Sequence, residues 1–448
     1  MGLSLGDHGV KTHLKNEFPQ AFRCVTTLKN ELRSLSADRV SVIVDGNVLF
    51  CRFASRDISF DAFVDLVYGH ILDLVEKATC VVVAFDEPEH VSIAKAKEQE
   101  ARDMKRTSIV ASSDLDSTPS TDAYCLEDLK AKTVDIHKLM FTNRKARSRF
   151  IDAVAMEVYE RFDARQTILQ GMGYTVCTAF ASLCFDGIDS RGGDRPLAER
   201  RLPRTVESGK LATHFRSVEH PIGEGDIKLA VATRRFIEAG MDHVYLETTD
   251  TDSIAIQLME AVSGSQEGVC ITLAMRENKY VNKKTGIVRP AYYTLCDIPL
   301  LASLVCERII GRIERCHARR LHCMRSLVFL FCLAGCDFVC GGLPALKGRA
   351  DVAMETMQTY YRERETAQSN VWNLDDQNMA LANVSTNAEE LVTIALSVVS
   401  KKKTLGGRKS LVGINPVEFI CKGVWCLAYW SNLREYDPVA FGFASSST

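Results

Sequence analysis

Three short runs of apolar, largely β-branched residues mark the chain: Val40 to Val44, Cys80 to Phe85 and His243 to Glu247. Runs of this length and make-up read as strands. Between them apolar residues recur at helical spacing over Phe60 to Lys77, Ser148 to Leu169 and Ile227 to Ala239. Alternating strands and helices predict an α/β fold, with a mainly parallel central sheet flanked by helices on both faces. Each strand run ends at an acidic residue or leads directly to one, and such sheets form their sites beyond the carboxyl ends of the strands. Two segments break the pattern. Residues 107–121 (TSIVASSDLDSTPST) are polar and read as a mobile loop, and Asp186 to Arg216, rich in arginine, glycine and proline, reads as a surface insertion. After about Gly342 the helical pattern returns, interrupted by the basic stretch Lys401 to Lys409. There is no internal repeat.

Composition narrows the classes. A length of 448 residues suits two or three units, or one elaborated domain, at roughly 100–200 residues per domain. With 46% apolar and 25% charged residues, a large core is expected and wholesale disorder is not. The formal net charge of −2 argues against a protein that coats phosphates indiscriminately. It leaves room for nucleic acid, because the carboxylates of a metal site mask a local basic surface. The 16 cysteines are scattered, the N-terminus lacks the order of a secretory signal, and the apolar run near Leu327 to Ala334 is too short to span a bilayer. These features imply free thiols in a reducing, intracellular compartment and no membrane partner. Cys316-His317 and His322-Cys323 fall in a helix-like stretch without the loop spacing of zinc motifs.

The chemistry lies in carboxylates at the ends of elements. Asp45 follows SVIV, Asp86 follows CVVVAF, and Glu224 and Asp226 lie in PIGEGDIKLA at a helix start. Asp250 and Asp252 close VYLETTDTD, and Asp337 follows LVFLFCLAG. On an extended strand Asp250 and Asp252 would face the same side. Gly223 and Gly225 permit a non-helical entry on which Glu224 and Asp226 converge, where a helix start favours negative charge. Two carboxylates about 4 Å apart repel by roughly 4 kcal/mol at an effective dielectric near 20. Hard divalent cations remove that cost and prefer oxygen ligands. Each motif alone has a plainer reading: an Asp after a strand is a turn former or helix cap, and AGCDF is a glycine-terminated helix. What favours a metal site is that all of them occur in one chain, each at an element end.

In this order the motifs resemble those of the flap-endonuclease and xeroderma-pigmentosum-G nucleases and their 5′-exoribonuclease relatives, which share a PIN-like fold. VDGN resembles the first-strand acid motif and FDEPEH the family's VFDG element. GEGD resembles the EAEA of flap endonucleases and more closely the GEGE of exoribonucleases; TTDTDSI matches the strand-end DxD, and AGCDF the GSDY or GNDF motif. The likeness spans roughly residues 8 to 350. It implies a PIN-like nuclease core over residues 1–341, with a helical arch at 87–147 and the insertion at 186–216, and a helical C-terminal region at 342–448. It also implies two Mg²⁺ or Mn²⁺ ions held by Asp45, Asp86, Glu224, Asp226, Asp250, Asp252 and Asp337.

The family holds the scissile phosphate with a lysine and an arginine seven residues apart. Lys95 and Arg102 keep that spacing, about two residues further from Asp86 than in the family; Lys97, Lys105 and Arg106 are alternatives, and a solvated mixed-charge helix is the plainer reading. GGLPALKGRADVA resembles the helix-hairpin that grips duplex DNA, which assigns phosphate contacts to Gly341, Gly342 and Lys347, although the usual second glycine is replaced near Leu346-Lys347. Lys401, Lys402 and Lys403 are further candidates for the duplex. FICKGVWCLAYW is similar to an exoribonuclease phrase, or is an amphipathic aromatic helix. The short MGV or MGI that opens family members corresponds to Gly9-Val10-Lys11, with eight residues in front.

The expectation is a structure-specific 5′ nuclease acting on DNA flaps or ends in repair and replication, in the nucleus rather than the cytoplasm. Two alternatives stay open: a 5′-to-3′ exoribonuclease, and a nuclease-like adaptor that binds nucleic acid without cutting. A magnesium phosphatase would need a DxDx[TV] motif that VDGN does not supply.

Overall fold

The computed structural model describes residues 9–35, 40–54, 58–75, 77–78, 80–84, 225–238, 240–263, 268–277, 280–281, 288–311, 316–336, 349–366 and 388–399, with single positions at 313, 346 and 423 and several between 136 and 161. The chain forms two compact units that interleave along the sequence. One comprises Cys24–Thr249 and Gly268–Leu295; the other comprises Met1–Arg23, Asp250–Glu267 and Cys296–Thr448.

The first unit is α/β, and α2 (Leu28–Arg33) is its first helix. Its strands belong to a six-stranded sheet of order β1-β8-β5-β4-β2-β3, formed by β1 (Phe22–Val25), β2 (Val40–Asp45), β3 (Cys80–Ala84), β4 (His243–Glu247), β5 (Cys270–Glu277) and β8 (Tyr292–Asp297). Parallel ladders run without a break through β3-β2-β4-β5. Asp45 stands opposite Ala84 on one side, and Val44 stands opposite Glu247 on the other. A separate antiparallel ribbon pairs β6 (Tyr280–Val281) with β7 (Val288–Arg289).

All six residues of β2 are buried, as expected where helices cover both faces of a parallel sheet. Val40, Val42 and Val44 share a core with Val81 and Val83 and with Phe63, Val64, Val67 and Ile71 of α4 (Phe60–Val75). Ile43 and Val82 alternate to the other side and are equally buried. The helix α5 (Gly225–Glu238) packs on β2, β3 and β4. Phe50 on α3 (Gly46–Phe53) meets Phe63 at 5.3 Å and Phe150 at 6.2 Å, both edge to face. Each such fully buried ring contributes roughly 1.5–3 kcal/mol.

The three expected strands are present, and two of the expected helices form nearly as bounded. The third expectation, Ser148 to Leu169, is described only at scattered positions; Phe150, Ile151, Val154 and Val158 are helical and buried there. Three further sheet strands lie outside the sequence expectation. β5 (CITLAMRE) contains Ala, Met, Arg and Glu, which carry no strand signal. β1 leaves Arg23 and Cys24 exposed.

Apart from the strand residues Phe22, Arg23, Cys296 and Asp297, the second unit is helical among the described residues. It holds α1 (Val10–Glu17), α6 (Asp252–Ser263), α7 (Ile298–Ile310), α8 (His317–Leu333), α9 (Ala350–Thr366) and a helical stretch over 388–399. α6 and α9 each pack against both α7 and α8, and α1 touches α9. Local signals fix α7. Asp297 caps it by accepting from Leu300 N at 2.9 Å, Pro299 sits in its first turn, and Gly311 ends it in a left-handed conformation at φ 79°. The apolar run from Leu327 to Leu333 on α8 is entirely buried as core. Among the described residues, no helix is long and apolar enough to cross a membrane.

Candidate acidic site and the buried ion network beside it

Asp45 is the last residue of β2 and the N-cap of α3. Its Oδ1 accepts from Val48 N at 3.1 Å and its Oδ2 from Thr248 Oγ1 at 3.1 Å. The residue is 9% exposed. A carboxylate offers about four lone-pair sites, so these bonds do not by themselves exhaust its acceptor capacity. An oxygen donor of this kind suits Mg²⁺ or Mn²⁺. The plainer role foreseen for a strand-end Asp, capping a helix, is thus present whatever else Asp45 does.

Asp250 and Asp252 depart from the expected geometry. The strand stops at Glu247, so they are not alternate residues of an extended segment. Asp252 opens α6, and its backbone N–H donates to Asp250 Oδ1 at 3.1 Å. The physical reason is local: a short acceptor two residues ahead of a helix competes for the backbone and turns the chain. Asp252 is buried and Asp250 half-buried. These two belong to the helical unit, whereas Asp45 and Thr248 belong to the α/β unit.

Asp226 lies in the first turn of α5, as expected, though its side chain is outside the description. Asp86, Lys95, Lys97, Arg102, Lys105, Arg106, Glu224, Asp337, Gly341, Gly342, Lys347, Lys401, Lys402 and Lys403 lie outside the described residues. So do the arch segment, apart from the buried Ile136, and the insertion at 186–216. Among the described residues, no three or more His, Cys, Asp or Glu side chains gather as a metal-binding group. Cys316 precedes α8 and is exposed, while His322 and Cys323 are buried within that helix.

Beside Asp45 the α/β unit contains a charged group that the sequence reading missed. Glu247 ends β4 at 1% exposure. Its Oε1 accepts from Arg52 on α3 and, at 2.7 Å, from the Tyr293 hydroxyl on β8. Its Oε2 lies 2.6 Å from His70 Nε2 on α4. Burial alone would raise the Glu247 carboxyl, but His70, Arg52 and the Tyr293 hydroxyl together hold it well below the usual carboxylate range. Burial and the Glu247 charge push the Tyr293 hydroxyl up, so it stays a donor. The sequence signal was a glutamate closing a mainly apolar strand, which demands a partner when buried; the partners lie 177 and 195 residues away for His70 and Arg52, beyond any local pattern.

Comparison of the sequence with protein-family models and with curated proteins finds no match.

Proposed function

We propose that the chain is a divalent-metal-dependent, structure-specific 5′ nuclease with a PIN-like core. The observation that carries the reading is a set of acids at the ends of elements, with Asp45 at the carboxyl end of β2, inside the parallel run β3-β2-β4-β5. The neighbouring strand β4 ends three residues before Asp250 in the chain. Strand carboxyl ends are where open parallel sheets place ligands.

The residues that the family resemblance assigns to the ions are Asp45, Asp86, Glu224, Asp226, Asp250, Asp252 and Asp337. When bound, two such ions activate water and stabilise the leaving oxygen of a phosphodiester. The protein's own part is to hold oxygen donors in fixed directions. Asp45 is held in this way by bonds from the amino end of α3 and from Thr248. Lys95 and Arg102 are assigned to the scissile phosphate, and Gly341, Gly342, Lys347 and Lys401 to Lys403 to the nucleic-acid backbone. DNA with a 5′ flap or end is the proposed substrate, which fits a role in nuclear repair or replication.

Two sequence features favour RNA instead, GEGD and FICKGVWCLAYW. The test therefore offers purified protein labelled DNA flaps, duplex ends and 5′-monophosphate RNA, with Mg²⁺ or with EDTA. Cleavage near the 5′ end of the flap in Mg²⁺ alone is expected. Cleavage of the RNA only would move the chain to the exoribonucleases. Binding of any of the three without cleavage would establish the adaptor reading.

A further inference from the structure

We infer that the buried set Arg52, His70, Glu247 and Tyr293 is a positioning device for Asp45. The inference rests on reading Asp45 as a metal ligand. Two supports of the Asp45 carboxylate are Val48 N at the start of α3, bonded to Oδ1, and the Thr248 hydroxyl just past β4, bonded to Oδ2. Both supports lead to Glu247. Arg52 lies on α3, seven residues and about two helical turns after Asp45, and donates to Glu247. Thr248 is the next residue in the chain after Glu247. The result is a closed ring, from Asp45 through α3 to Arg52, on to Glu247, and back through Thr248. His70 on α4 and Tyr293 on β8 fasten Glu247 to two more elements. All six residues lie in the α/β unit.

Packing does not account for this group. Apolar side chains of the same volume often fill such a space at equal or lower free energy, because a buried ion pair must offset the desolvation of both charges. Four polar side chains converging at the end of one strand, one residue before the hydroxyl that holds Asp45, make sense if direction matters more than stability. Where partners orient a metal-binding carboxylate, their loss commonly lowers metal affinity 10- to 100-fold.

The test measures Mn²⁺ affinity of the full chain by electron paramagnetic resonance, with melting temperature alongside. The informative variant is the double substitution Arg52→Met with Glu247→Met, which removes both charges of that pair together and leaves His70 and the Tyr293 hydroxyl without their acceptor. We expect it to fold, to melt below the wild type because the Tyr293 hydroxyl loses its acceptor, and to bind Mn²⁺ about 10-fold more weakly. Arg52→Lys, which keeps the charge, is expected to fall between the two. Unchanged Mn²⁺ affinity in the folded double variant, with Asp45→Asn abolishing binding, overturns the positioning role and leaves the metal site standing. No Mn²⁺ binding by the wild type overturns the metal reading and this inference with it. If the double variant does not fold, Tyr293→Phe removes only one hydroxyl from Glu247. A several-fold drop in affinity then supports the device, and wild-type affinity sinks it.

Discussion

At the scale of single residues, Asp45 carries two readings that one substitution separates. As an N-cap it needs only a short acceptor, and Asn caps as well as Asp. As a metal ligand it needs the charge. Asp45→Asn should therefore keep stability within about 0.5 kcal/mol while cleavage of a flap substrate is lost, and Asp45→Ala should cost about 1 kcal/mol as well. Urea denaturation beside a cleavage assay reads both, and full activity in a folded Asn variant would reduce Asp45 to a cap. His322 offers a second residue-scale case, independent of any nuclease role. It lies in α8 with Nδ1 at 2.9 Å from the Tyr361 hydroxyl, its ring stacked on Tyr360. Burial, then the charges of Arg364 and Arg319, push it down to about 3. The unfolded chain takes up this proton near its ordinary value of 6.5, and the folded chain holds it off until about 3. Stability should accordingly fall as pH drops through that window, by a few kcal/mol at most. Glu247 acts lower: its depressed carboxyl stabilises above about 4.5, and that part is lost as the pH falls further. A melting series from pH 7 to pH 4 on His322→Gln should show a flatter slope between pH 6.5 and pH 4 than the wild type. An identical slope would mean that another group carries the proton.

At the scale of elements, the boundaries that sequence could locate were those set by local chemistry. Val40 to Asp45 and His243 to Glu247 are short, apolar and β-branched, and both form as strands where expected. β5 mixes strand-favouring residues with Ala, Met, Arg and Glu, and β8 (YYTLCD) is rich in strand-favouring residues yet was not among the expected strands. The site divides in the same way. Asp45 lies at the strand end where the sequence places it, because a strand end is a local feature, and the helix that Asp252 opens was missed because TDTD reads equally well as strand or turn. The Arg52, His70, Glu247 and Tyr293 group depends on contacts between four distant elements, which no spacing announces. The helix α8 shows the same limit: its run of buried residues was legible, but its packing was not. Gly423, within the aromatic phrase FICKGVWCLAYW, lies against it so closely that an added Cβ would come 2.8 Å from Phe329 and 2.9 Å from Leu333. Gly423→Val should thus lower stability by roughly 1–3 kcal/mol through overpacking. Because the neighbours are side-chain atoms, Phe329→Leu in the same chain should recover part of the loss. No recovery in thermal melts would place the strain in the backbone around Gly423 instead.

At the scale of the whole molecule, the net charge of −2 sums a nearly balanced population of 55 basic and 57 acidic residues, and says nothing of how they are grouped. A cluster of carboxylates is the grouping that a cation would detect. In the metal-free protein such a cluster is a source of repulsion, on the order of 4 kcal/mol for each pair about 4 Å apart at moderate dielectric. An ion that binds the folded cluster and not the unfolded chain stabilises by mass action, about 2.7 kcal/mol at a hundredfold excess over Kd. Spread over a chain this long, that corresponds to a rise of several degrees in melting temperature. Millimolar Mg²⁺ or Mn²⁺ should produce that rise in the wild type. Ca²⁺ should produce a rise too while supporting little or no cleavage, since it meets the same oxygen donors with looser geometry. Asp45→Asn has a distinctive signature here. It removes one repelling charge, so its metal-free melting temperature should equal or exceed that of the wild type, while the rise on adding metal should shrink. A change in structural integrity would lower both curves together, and a change in metal binding alone separates them. A wild-type melting curve that stays put across millimolar Mg²⁺ and Mn²⁺ would leave the acids as caps and turn formers, and would favour a chain that binds nucleic acid without cutting it.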